Sequence, residues 1–225
     1  MPDDALLSLQ LDHLNELQTR YESALAEQGF DSLLIASGAA PCRYGDDQVW
    51  HFQGYGPFLH WTGLAGREHC WLWIRAGHKP VLWLYQPVDF WHASEPLREE
   101  PWQAFIEVRS SRSPEAPLLD DPGTLAAIGD PALIGTAAGQ RNPEGLLSAL
   151  DETRVRKTAY EIECLAQANR MALAGHRAAR DAFVDGESEF GISLAYQQAT
   201  RQREADAPYH SIIGVNEHAG TLHYQ

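Results

Sequence analysis

Apolar residues recur along the chain with two periods, and the switches between them mark out the predicted elements. Over about residues 4–28, Leu7, Leu11, Leu14, Leu17, Tyr21 and Leu25 are spaced by three and four, which gathers them on one face of a helix. Gly29 stands where a helix C′ residue would. Ser32-Leu-Leu-Ile-Ala36 then reads as a short buried strand, ended by Ser37-Gly38. Residues 39–68 keep no period. They hold Asp46, Asp47, Trp50, His51, Phe52, Tyr55, Phe58, His60 and Trp61, broken by Gly45, Gly54, Gly56 and Pro57. Such a stretch is either a functional or interfacial loop, or a loop packed on its own domain.

Branched and aromatic runs at Cys70–Arg75 and Val81–Tyr85 flank a Gly- and Pro-bearing turn, the pattern of a β-hairpin. Pro87 ends the ladder. A short helix is expected over residues 96–104 and a strand over Phe105–Arg109, with loop at 110–123. Leu125–Ile128 and Ala132–Gly135 are short apolar pieces, of which the second suits a strand. Asn142-Pro143 opens a helix over 143–150, with Pro in its first turn.

The charged run Asp151–Lys157 marks a boundary. Thr158 and Glu161 have capping-box spacing ahead of a helix over about 158–184. Ile162, Leu165, Ala168, Ala172, His176, Ala179 and Phe183 share one face of it, with His176 read as packed against a neighbour. Gly186 stops this helix, and Ser188 caps another over about 188–203 that carries Phe190, Leu194 and Tyr196. Ser211–Val215 and Thr221–Tyr224 look like strands around a turn at Asn216–Gly220. The pattern is thus mixed α/β, then two helices, then a strand pair.

Composition narrows the function classes. With 44% hydrophobic and 21% charged residues over 225 positions, the chain can bury a sizeable core. Its net charge of −14 repels nucleic acid and anionic membrane, which need clustered Lys and Arg. Three cysteines without close spacing point to reduced thiols and a cytoplasmic protein, not a disulfide framework or a structural zinc site. Met1-Pro-Asp-Asp4 has no apolar signal region, and no apolar run reaches membrane-spanning length.

Candidate chemistry gathers at the end of the chain, where His210, His218 and His223 are three of the ten histidines. His218 and His223 are not at the i, i+4 helical spacing of a metal pair, and no carboxylate follows them. On residues alone they are a metal pair, a substrate-contacting or proton-handling group, or ordinary surface histidines. The GxSxG elbow, Walker A loop, GxGxxG loop and HExxH motif are all missing.

Several separated motifs, in order, resemble bacterial Xaa-Pro dipeptidases (prolidases) of the pita-bread metallopeptidase family. They are the Asp46-Asp47 loop with Phe52 and Trp61, Lys79–Trp83, Pro87–His92, Gly175–Ala179 with Ser188-Glu-Phe190, Pro208-Tyr209, Asn216-Glu-His218 and Leu222-His-Tyr224. The chain departs from the family at Arg43-Tyr-Gly45, where relatives are more apolar. The resemblance implies a creatinase-like α/β N-terminal domain over 1–155. It also implies the first helices and strands of an α+β pita-bread catalytic domain, incomplete, over 156–225.

It further implies hydrolysis of dipeptides with C-terminal proline by a hydroxide bridging two divalent metal ions, commonly Mn²⁺. His223 falls on the catalytic-pocket histidine and would hydrogen-bond a substrate oxygen. Leu222 would line the same pocket, and Tyr209 the opposite, smaller one. Asp47 would reach the neighbouring subunit's site in a homodimer and meet the dipeptide's α-amino group. His218 would at most support the site from behind. The family's metal ligands follow the Leu-His-Tyr motif, so none is assigned here. They are expected beyond residue 225, and the 225 residues alone are expected to be inactive. Alternatives are a non-catalytic dimerisation or binding module of the same fold, or a creatinase-like amidinohydrolase; the Pro87–His92 and Asp46-Asp47 motifs favour the dipeptidase.

Overall fold

A computed structural model describes residues 4–88, 90, 97, 100–207 and 209–224. Asp89, Trp91 and His92 of the Pro87–His92 motif lie outside these residues, as do Pro208 and most of the first half of the helix expected over 96–104. The chain divides into two compact units, Met1–Tyr160 and Glu161–Gln225.

The first unit is built on one six-stranded sheet. Its strands are β1 (Ser32–Ala36), β2 (Trp71–Arg75), β3 (Val81–Tyr85), β4 (Glu107–Ser111), β5 (Leu125–Ile128) and β6 (Gln140–Arg141), in the order β4-β3-β2-β1-β5-β6. The predicted hairpin is present, with β1, β2 and β3 antiparallel in turn. β3·β4, β1·β5 and β5·β6 are parallel. β1 is buried along its whole length because both faces of the sheet are covered. Its alternating side chains feed two cores.

Leu33 and Ile35 enter the first core, with Leu14, Leu17, Tyr21 and Leu25 of α1 (Asp4–Gln28). Phe58 and Trp61 of α2 (Gly56–Thr62) and Leu146 and Leu150 of α3 (Glu144–Thr153) join them. Leu34 and Ala36 enter the second core, with Trp71, Ala127, Ile134 and Ala137. Fully burying a side chain of this size contributes about 1.5–3 kcal/mol, so the last three turns of α1 hold it to the sheet. Arg20 on α1 donates to the Thr153 carbonyl at 2.5 Å, one that the end of α3 leaves without a helical partner, and to the Arg156 carbonyl beyond it at 2.9 Å. His13 is also buried, with Nδ1 against the Thr158 hydroxyl at 2.9 Å and Nε2 against the His60 carbonyl at 3.1 Å.

Three elements differ most from expectation, besides β4, which starts and ends two residues later than the expected Phe105–Arg109, and β6, which the pattern does not predict. The aperiodic stretch contains α2, whose start and stop signals are Pro57 in its first turn and Gly63 just past its end. Leu125–Ile128 forms the strand, while Ala132–Gly135 does not. The carbonyl of Asp130 accepts from Leu133 and Ile134, and its carboxylate accepts from the Ala132 N–H at 2.8 Å, which curls that piece into a turn and a 3₁₀ segment at Ile134–Thr136. The third difference is the chain's last segment, where Ser211–Val215 and Thr221–Tyr224 form no strands and Asn216–Gly220 is 3₁₀.

The second unit contains most of α4 (Ala159–Val184) and all of α5 (Glu189–Thr200). The predicted cap holds: the Ser188 hydroxyl accepts from the Gly191 N–H at 3.1 Å. The helices cross closely at Gly175, where a Cβ would lie 2.6 Å from Thr200 Cγ2 and 2.6 Å from Tyr196 Cε2. His176 meets the Tyr196 ring edge-on at 5.3 Å, as its packed reading expects. Ile162, Leu165, Phe183 and Phe190 are exposed. No helix among the described residues is long and apolar enough to cross a membrane.

Candidate functional site

The site-bearing segment of the second unit, Tyr209–Tyr224, is held by two carboxylates. Glu189, in the first turn of α5, accepts from the Val215 N–H at 2.9 Å and from His218 Nδ1 at 2.8 Å. A carboxylate can only accept, so His218 carries its proton on Nδ1 here. The Tyr224 ring stacks on His218 with centroids 4.3 Å apart and 19° between planes. Glu204 accepts from the Ser211 N–H at 2.6 Å. These carboxylates take N–H groups that a strand would offer to a ladder, which is the local reason the expected hairpin is absent.

The electrostatics follow the geometry. The N–H of Val215, then His218 and Tyr224, hold the Glu189 carboxyl below the usual carboxylate range, against the smaller opposing effect of desolvation. Desolvation, then the hydrogen bond to Glu189 and its charge, push the Tyr224 phenol up. A lowered carboxylate pKa stabilises the folded contact above the unfolded-state value of about 4.3, and that stability is lost as pH falls through the lower folded value. An NMR pH titration of the Val215 amide should therefore report release of this segment only below about pH 4.3; a midpoint above that would remove Glu189 as its anchor.

Between the stacked His218–Tyr224 pair, Leu222 and His223 lie at an exposed turn, with Leu222 84% exposed. Tyr209 is 79% exposed. No hydrogen bond, ion pair or ring contact joins Tyr209, Leu222 and His223 among the described residues. Leu222 and His223 are thus brought together by adjacency, and Tyr209 is not drawn to them. What this arrangement can do is offer an apolar side chain and an imidazole side by side to an incoming molecule. The sequence reading missed Glu189 and Glu204 as anchors. Its available signal was an acidic residue directly after the Ser188 cap, inside a stretch already singled out.

Asp47 belongs to the first unit, on an exposed loop closed by a Cys42–Val49 bridge and by Arg43 lying 4.7 Å over the Trp50 ring. Asp46 is used locally, its carboxylate accepting from the Gln48 N–H at 3.0 Å. Asp47 has no partner among the described residues and stays exposed. A metal needs several converging donors. Taken within either unit alone, no three His, Cys, Asp or Glu side chains among the described residues converge in that way. All three cysteines are free.

Comparison with known proteins gives the family and the fold. A family described as "Xaa-Pro dipeptidase, N-terminal domain" matches residues 8–151. The chain is 67% identical over 225 residues to an Xaa-Pro dipeptidase of Marinobacter nauticus, covering 100% of this chain and 52% of that protein. It is 38% identical over 228 residues to one of Serratia proteamaculans, covering 98% and 52%. The chain therefore spans about half the length of the curated relatives it matches. Among solved structures, proline aminopeptidase P II from Yersinia pestis matches with a TM-score of 0.61 at 17% identity, over 94% of this chain and 55% of that one. Zn-substituted Escherichia coli aminopeptidase P in complex with product matches with a TM-score of 0.61 at 18% identity, over the same shares of 94% and 55%. At that identity the likeness concerns the fold alone.

Proposed function

The chain belongs to the Xaa-Pro dipeptidase family, and from that premise we propose that it forms the N-terminal part of a metal-dependent enzyme that hydrolyses dipeptides ending in proline. The observation that carries this reading is 67% identity across the whole chain to an Xaa-Pro dipeptidase. In the reading, residues 1–155 are the creatinase-like domain and 156–225 open the pita-bread catalytic domain.

Each site residue has a chemical task. The amide before proline is tertiary and lacks an N–H, so the substrate is oriented through its oxygens and its free ammonium. His223 hydrogen-bonds a carbonyl or carboxylate oxygen, and its exposure supports that access. Leu222 lines the pocket beside it with apolar surface, and Tyr209 closes the smaller pocket. The Asp47 carboxylate, unpaired in its own loop, meets the substrate ammonium at the site of a neighbouring subunit in a homodimer. Two divalent ions, Mn²⁺ in this reading, would supply an activated water and polarise the carbonyl. Among the described residues, no ligand set for them forms within either unit taken alone. Three free thiols support a cytoplasmic setting.

The test uses the complete protein that carries this chain. With Mn²⁺ it should hydrolyse Ala-Pro and leave Ala-Ala intact, and chelation should stop turnover. Equal hydrolysis of both dipeptides, or turnover that survives chelation, would overturn the proposal.

A further inference from the structure

We propose that the crevice between the carboxyl ends of β1 and β5 binds a small organic cation of the ammonium or amidinium class. β1 and β5 are parallel neighbours, yet the chain leaves β1 toward β2 and leaves β5 toward β6, on opposite sides in the order β4-β3-β2-β1-β5-β6. The departures also go to opposite faces. The segment after β1 delivers Phe58 and Trp61 to the first core, while the segment after β5 delivers Ile134 and Ala137 to the second. Divergence of this kind between adjacent parallel strands opens a crevice at their carboxyl ends, the place where open α/β sheets bind ligands.

A glycine with positive φ follows each strand within two residues. Gly38 stands at +102° and Gly129 at +144°, and a Cβ on Gly129 would lie 2.9 Å from that of Ala36. The backbone can therefore turn away sharply on each side. The cavity left is about 300 Å³, lined by Gly38, Ala39, Gln53, Tyr55, Gly129 and Asp130. That volume is at the small end of small-molecule sites.

Its walls are already fixed. The Tyr55 N–H donates to the Ser37 carbonyl at 2.8 Å, tying one wall to β1. The Asn142 side chain bridges the N–H and carbonyl of Gly129 at 3.0 and 2.9 Å, tying down the other. The lining holds one carboxylate and no cationic side chain. Asp130 spends Oδ1 on the Ala132 N–H at 2.8 Å, leaving Oδ2 for a ligand. In a chain of net charge −14, a cation is also the favoured visitor.

Nothing in this inference depends on the peptidase reading, and its test needs no turnover. Benzamidine is the probe, titrated into the 225-residue chain by calorimetry, with inorganic phosphate as the anionic control. One saturable site with a dissociation constant of roughly millimolar is expected, as befits so small a ligand. Asp130→Asn keeps an oxygen for the Ala132 cap but removes the charge, and should weaken binding about tenfold. Ala39→Leu should fill the crevice and abolish binding. Absence of saturable heat up to roughly 20 mM benzamidine, binding that survives either substitution unchanged, or phosphate binding as tightly as benzamidine would each overturn the proposal.

Discussion

Replacing His223 by Ala in the complete protein is expected to lower turnover of Xaa-Pro dipeptides about 10²- to 10⁴-fold, the scale of a positioned polar group acting on a reacting centre. The structure makes this substitution clean. His223 is exposed and bonded to no other described residue, so its removal leaves the Glu189, His218 and Tyr224 anchor intact, and thermal stability should not move. An imidazole that binds developing charge on the substrate oxygen acts in the transition state more than in the ground state. Hence kcat and kcat/KM should fall together. A rise in KM at constant kcat would reduce His223 to a group that binds substrate uniformly, and an unchanged rate would remove it from the mechanism.

Phe58→Ala is expected to destabilise the 225-residue chain by about 3–5 kcal/mol, read as a lower urea midpoint with an unchanged slope. α2 has only seven residues, Gly56–Thr62, too few to be stable as an isolated helix. It is held by what it buries: Phe58 at 0% exposure and Trp61 at 3%. Trp61 meets the ring of Tyr21 on α1 edge-on, 5.2 Å apart at 87°. Losing Phe58 opens a cavity against Leu33, Ile35 and α1 that a short helix cannot close without giving up Trp61 as well. A cost below about 1 kcal/mol would mean that α2 is not docked as described.

These two expectations stand on different footings in the sequence. α1, β1 and the β2–β3 hairpin were legible because their signals are local: a helical stripe, an apolar run between glycines, two branched runs around a turn. α2 was not, since its two turns are too short to show a period and aromatic residues flank it on every side. Leu125–Ile128 and Ala132–Gly135 look equally apolar, and what selects the first is pairing with β1, a partner far away in sequence. In the second unit, Ser211–Val215 and Thr221–Tyr224 look like strands in the sequence. Acceptors outside those runs, Glu189 and Glu204, hold N–H groups there instead.

The candidate site was legible only through resemblance. Nothing in spacing alone singles out His223 over His218, and the structure separates them physically: His218 is bound between Glu189 and Tyr224, while His223 is exposed.

The parallel pairing of β1 with β5 carries a consequence for how the protein is made. Ser32 faces Leu125 across that ladder, so during synthesis β1 can acquire β2 as a neighbour long before its other edge is covered. Until the β5 segment emerges from the ribosome, the nascent chain carries an open edge on a strand whose every side chain is destined for the interior. Such an edge is a template for pairing with other chains, and closing so distant a contact is slow. The stretch between Ala36 and Leu125 is therefore the window in which that edge is open to pairing with other chains.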